Sequence, residues 1–305
     1  MVDDTKIPND SFYNTIYRKV KQAIYYDSDL FQKYEISSYE SLNHSQTDGP
    51  DKIAAICSEI KNILGTKSNS GLSEETKYTI YNWIEEISYY ITPKSVSTSV
   101  KLNDTNEENI ISNITSSDKY EWGGLNYHIK MPVPLYLLDA LWIIYVGSLL
   151  DETFEDCCYG NRVHQHLFKE DKSIYSSHLM RNYSKQYSAW RDNALSVAKD
   201  ALNKGKIVDV ITLDITKCFY HIEGDFNEIT TYLHQLYKDG KISSLQLYID
   251  LTEIIQKICE KYYSVIKYNL ELTHNKCLRN DQTSILPIGL RSSGILANWH
   301  FYVIV

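Results

Sequence analysis

Val208-Asp209-Val210-Ile211-Thr212-Leu213-Asp214-Ile215-Thr216-Lys217-Cys218-Phe219-Tyr220 is the stretch on which the fold turns. Residues 208–215 are rich in β-branched side chains and too few for a helix, so they predict a largely buried strand with an acid near its C-terminal end. A carboxylate on a rigid strand end suits two-metal phosphoryl transfer. Hard magnesium ions take oxygen ligands and must be held where a triphosphate and an attacking hydroxyl meet. The main-chain carbonyl of Ile215 offers a further oxygen, and the aromatic ring of Phe219 comes close behind. Taken alone, an aspartate after a strand is also a common helix N-cap or loop start. A nucleophilic aspartate with a second acid two residues on is a different design, and Thr216 stands in that place.

On the N-terminal side of this strand, Tyr187, Trp190, Ala194, Val197/Ala198 and Ala201/Leu202 mark an amphipathic helix that stops at Asn203-Lys204-Gly205. On its C-terminal side come two helical stretches, 225–238 and 243–265, and then a polar stretch, 269–285, without helical period. Leu286-Pro287-Ile288-Gly289-Leu290-Arg291-Ser292-Ser293-Gly294-Ile295-Leu296-Ala297-Asn298 combines a sharp turn with a helix start. Glycine there lets backbone amides approach a ligand, and the serines cap the helix or contact phosphate. The remaining apolar residues to Val305 predict a helix, or a helix passing into a strand. Cys158-Tyr159-Gly160-Asn161-Arg162 is a turn whose arginine serves either phosphate or a salt bridge.

The apolar run from Met131 to Leu150 has the length of a membrane span. Asp139 near its centre would cost about 2.5–3.5 kcal/mol on insertion, and Pro132 and Pro134 break the first turn, so a buried core helix is expected. Residues 1–92 read as mostly helical, with apolar residues at Phe12, Ile16, Val20 and Ile24, and again at Ile53, Ile56, Ile60 and Ile63/Leu64 before Gly65. A third helix starts at Ser73 and carries Ile80, Trp83, Ile84 and Ile87 towards Pro93. Pro93 to Asp118 is a Ser/Thr/Asn-rich linker or long surface loop.

With 305 residues, 43% of them hydrophobic, the chain is long enough for one large or two modest cores, which excludes collagen-like and wholly disordered classes. A net charge of −8 disfavours a diffuse polycationic coat but leaves room for a local basic groove, for which Lys130, Lys169, Lys172, Arg181, Lys185 and Arg191 are the candidates. Six unevenly spaced cysteines without a CxxC pair argue against a disulfide framework or a zinc site and suit a reducing, cytoplasmic setting. The N-terminal residues lack the pattern of a signal peptide.

The order of the three constellations resembles that of bacterial reverse transcriptases. Cys158-Tyr159-Gly160-Asn161-Arg162 is similar to the Ser-Tyr-Gly-x-Arg segment that precedes their palm, Asp214 falls on the first aspartate of motif A, and Leu286–Asn298 is similar to motif B. The resemblance covers about Tyr127 to Val305. Ile288 in place of the usual glutamine and Gly294 in place of a frequent proline, with the Met131-Pro132-Val133-Pro134 and Leu141-Trp142 stretch, look like the abortive-infection branch of antiphage defence. Some members of that branch make DNA without a template.

The resemblance implies an α+β right-hand polymerase with a helical N-terminal extension (1–117), a fingers-like region (118–208) and an incomplete palm (209–305). Asp214 and the Ile215 carbonyl would bind Mg2+, Phe219 would exclude the 2′-hydroxyl, Gly289 would shape the nucleotide pocket, and Arg162 would support the fingers or nucleic acid. The implied activity is RNA-directed DNA synthesis from deoxynucleoside triphosphates, with RNA or DNA as partner and no membrane. Motif C, an aromatic-x-Asp-Asp, is expected soon after motif B, yet Asp3-Asp4 is the sole Asp-Asp pair. The chain therefore reads as an N-terminal polymerase fragment, with a second polypeptide as the expected source of motif C and the thumb. The alternative is a non-catalytic nucleic-acid-binding or assembly subunit.

Overall fold

The computed structural model describes residues 10–26, 30–43, 61, 71–94, 96–98, 120–122, 124–164, 178–274 and 281–304. Among these the chain is mostly helical with two small antiparallel sheets, an α+β arrangement.

Helix α1 (Asp10–Tyr26) buries Tyr13, Ile16, Tyr17, Val20 and Ile24, the spacing expected of one apolar face. Helix α2 is Leu30–Asn43. Helix α3 (Glu74–Glu85) begins where Ser73 accepts the Thr76 amide at 3.1 Å, with Glu74 and Glu75 in its first turn. The predicted cap is in place, but the helix does not run on to Pro93. Ser88–Pro93 forms strand β1, because the run Tyr89-Tyr90-Ile91-Thr92 favours the extended backbone and has a partner. That partner is β4 (Leu125–Lys130), in antiparallel register from Ser88 opposite Lys130 to Pro93 opposite Leu125. Strands β2 (Val96–Thr98) and β3 (Tyr120–Trp122) make the second pair. The expected helix over Ile53–Leu64, its stop at Gly65 and most of the 93–118 linker lie outside the described residues.

Helix α4 (Val133–Asp151) is the centre of the core, packed against α1, α2 and α3 and against two later helices, α7 (Leu245–His274) and α8 (Ser292–Ile304). It is the one described helix long and apolar enough to cross a membrane, and 94% of that window lies inside the protein. Pro132 and Pro134 do not break it. They sit at its N-cap and first turn, where no intrahelical amide is needed. Residues Ile143–Gly147 form a π-helical turn within it. Helix α7 extends nine residues past the expected end at 265, because Ile266 and Leu270 continue its buried stripe through sequence that reads as aperiodic. Helix α6 (Phe226–Lys238) packs on α7.

Helix α5 (Tyr183–Asn203) ends as its sequence predicts. Gly205 takes a positive φ of 73°, and the amides of Gly205 and Lys206 return to Leu202 and Ala201. Its amphipathic pattern, however, buries nothing: no residue of α5 is buried. The strand expected next is also not formed. Residues 206–215 run irregularly, with Ile207 95% and Leu213 87% exposed. A strand is made by its neighbour's hydrogen bonds, and among the described residues no strand lies alongside to supply them.

Candidate functional site

The site is assembled by one extended segment, residues 282–288, laid between the end of the 208–220 stretch and strand β4. On one side the Leu286 amide donates to the Phe219 carbonyl at 3.0 Å, Gln282 Nε2 donates to the Tyr220 carbonyl at 3.0 Å, and Ser284 Oγ donates to the Glu223 carbonyl at 3.0 Å. On the other, the Ile129 amide donates to the Ile288 carbonyl at 2.8 Å. The Tyr127 amide donates to Tyr220 Oη at 3.2 Å, and Tyr262 donates its hydroxyl to the Tyr127 carbonyl. Phe219 therefore sits on a short 3-10 turn (Cys218–Tyr220) whose position is fixed by backbone bonds to the segment carrying Gly289.

Gly289 turns the chain into α8 with φ +98°, and Gln32 Nε2 donates to its carbonyl at 3.1 Å. A Cβ at Gly289 would stand 3.2 Å from that amide nitrogen. Gly289→Ala is expected to cost about 1–2 kcal/mol, the penalty of a side chain in left-handed backbone, read as a lower denaturation midpoint at unchanged slope. The start of α8 is held by Asp139, whose carboxylate accepts the amides of Arg291 at 3.0 Å and Ser292 at 3.2 Å. Burial pushes this carboxyl up from the usual range, and the donors of Ser292 and Arg291 pull it part of the way back. A carboxylate at a helix N-terminus completes the amides that the helix leaves open.

The 158–162 turn docks on the same helix. Asn298 Nδ2 donates to the Gly160 carbonyl at 2.8 Å, and a Cβ on Gly294 would overlap the Asn161 side chain. Glycine at 294 is thus what lets α8 approach the turn this closely. Arg162, expected at nucleotide or nucleic acid, is buried behind the turn. Its Nε donates to Asp151 at 2.8 Å, Nη1 to the carbonyls of Cys158 at 2.8 Å and Glu155 at 3.1 Å, and Nη2 to the Asp151 carbonyl at 3.1 Å. It clamps the turn from inside and does not line the cavity in front.

That cavity has a volume of about 770 Å³ and is the meeting place of Phe219, Gly289, Arg291, Tyr159 and the N-terminal half of α5. Among the described residues its lining contains Arg181, Arg291 and two histidines but no aspartate or glutamate, in a chain of net charge −8. Of the six basic residues expected in a groove, Arg181 lines it. Arg191 pairs with Asp192 at 2.8 Å, Lys130 stands 3.9 Å from Glu35, Lys185 is exposed on α5, and Lys169 and Lys172 lie outside the described residues.

Asp214 and Ile215 stand apart from the lining, on the exposed irregular segment. The Asp214 charge is felt at Cys218, whose thiol is pushed up first by burial and then by that carboxylate. Among the described residues no group of three or more His, Cys, Asp or Glu side chains gathers.

Several lining residues carry no sequence signal. Gln32 lies 257 positions from Gly289, and His128 is placed by strand register, its ring stacked on Tyr90 at 5.0 Å. Tyr183, Tyr187 and Trp190 have a readable helical spacing, but the sequence does not show that this face stays uncovered. No protein family, curated protein or solved structure matches the chain.

Proposed function

We propose that this chain is the fingers-and-palm part of an RNA-directed DNA polymerase of a bacterial antiphage defence system, at work in the cytoplasm. The observation that carries the reading is convergence. Phe219, Gly289 and the Tyr159-Gly160-Asn161 turn stand out separately along the sequence, and all border one cavity whose described lining has two arginines and no acid. Such a cavity has room for a nucleotide and the charge to attract its phosphates. In this reading Phe219 excludes the ribose 2′-hydroxyl, Gly289 shapes the pocket floor, and Arg162 supports the fingers by holding the turn. Asp214 and the Ile215 carbonyl contribute to a magnesium site that carboxylates from elsewhere complete.

A second reading, an assembly or nucleic-acid-binding subunit without its own catalysis, draws on the uncovered α5 and the exposed apolar run Ile207–Ile215. Surfaces of that kind suit a partner chain.

Nucleotide incorporation tests the two. The chain, alone and co-expressed with the polypeptide encoded downstream of it, is supplied with labelled deoxynucleoside triphosphates and Mg2+, with and without primed RNA. Incorporation by the chain or the pair is the expected result. Nucleic-acid binding with no incorporation by either preparation favours the second reading.

A further inference from the structure

Tyr183, Tyr187 and Trp190 occupy positions i, i+4 and i+7 of α5 and so share one face of the helix. Their rings are in contact in series, with centroids 6.1 Å apart and planes at 28° for the first pair, and 5.5 Å and 46° for the second. They are 71%, 49% and 45% exposed, and all three line the cavity. Aromatic rings exposed in a row, each with a polar handle, lose little by meeting water and gain most by meeting another flat ring.

The charge around them selects the occupant. The ladder opens onto a lining that, among the described residues, has Arg181 and Arg291 and no carboxylate. Arg181 is anchored through Nε to the Val163 carbonyl at 3.2 Å, and its Nη2 stays 3.9 Å from Asp151, so the cation is held at the cavity edge. Rings in series beside cations complement a chain of bases joined by phosphates. A membrane or an apolar peptide would use the rings alone, whereas a nucleic acid also meets the cationic edge.

We propose that Tyr183, Tyr187 and Trp190 form a stacking track that takes the bases of a single-stranded nucleic acid and leads it into the cavity. The track binds without regard to base sequence, because every base has a π-face. It rests on the reading of the cavity as a nucleotide site, but it requires no catalysis.

The test is fluorescence anisotropy of a labelled twelve-residue oligothymidylate with the full chain, set against an abasic oligomer of equal length and charge. Trp190→Ala and the double variant Tyr183→Ala/Tyr187→Ala are each expected to weaken oligothymidylate binding about tenfold or more, a loss of the size measured for single stacked bases. Trp190→Phe, which keeps a ring, is expected to stay within about threefold of the parent, because stacking needs the π-face alone. The abasic oligomer is expected to bind as weakly as the alanine variants. No residue of α5 is buried, so thermal midpoints should not move and serve as the folding control. Equal affinity for the two oligomers, ladder variants that bind like the parent, absence of oligothymidylate binding, or self-association that the alanine variants abolish would each overturn the track. A chain that loses oligothymidylate with the ladder but incorporates no nucleotide retains the track and removes the polymerase reading.

Discussion

Replacement of Arg162 by methionine is expected to lower unfolding free energy by about 3–5 kcal/mol, the cost of removing one partner of a buried ion pair. The guanidinium and the Asp151 carboxylate are 7% and 10% exposed, so neither is rescued by water when the other is gone. The loss is not confined to the pair. Asp151 also accepts the Val163 amide at 2.9 Å, and Arg162 ties down the carbonyls of Glu155 and Cys158. Urea titration reads the midpoint shift directly. Arg162→Lys keeps the charge but cannot reproduce the fork of donors, so it is expected to fall between parent and methionine. Nucleotide affinity should decline only in step with stability. If instead Arg162→Met left the midpoint in place and selectively impaired nucleotide binding, the residue would act on phosphate and not as a clamp.

Asp214→Asn is expected to reduce nucleotide incorporation by about a thousandfold in whichever preparation is active, the effect of losing a metal-bound carboxylate worth several kcal/mol in the transition state. The same substitution should leave the urea midpoint and oligothymidylate binding unchanged, because Asp214 is exposed and stands apart from the cavity lining. Full retained incorporation would take Asp214 out of the reaction. A fall in stability together with activity would mean that the segment carrying it is packed in the active assembly, and the comparison must then be made on the folded fraction.

The legible parts of the fold are those decided within a few residues. The Ser73 cap, the apolar spacing of α1 and the glycine stop at the end of α5 depend on local backbone chemistry, and the sequence displays that chemistry. Strand β1 is hidden behind a helical pattern because Ile80, Ile84 and Ile87 keep their period up to its first residue, although β4 claims Ser88–Pro93 as its partner. Residues 208–215 mislead in the opposite way, having the composition of a core strand without a described neighbour to pair with. For the site, Phe219 and Gly289 stand out as an aromatic and a turn glycine in apolar surroundings. Gln32 and Asp139 are ordinary helical residues until the fold brings Gly289 and the α8 amides to them. Arg162 shows the limit of reading charge from sequence, since a cation suited to phosphate and one suited to a buried carboxylate are spelled alike.

Asp139 meets the Arg291 amide 152 positions later in the chain. At the roughly 5–20 residues per second of protein synthesis, this corresponds to about 8–30 s during which α4 has left the ribosome and its acceptor has no final partner. For that interval the nascent chain offers the insertion machinery a helix of membrane-like composition, and the ionised acid near its middle opposes partitioning into lipid. One side chain thus bears on two events, opposing transfer of the emerging helix into lipid and later seating the start of α8.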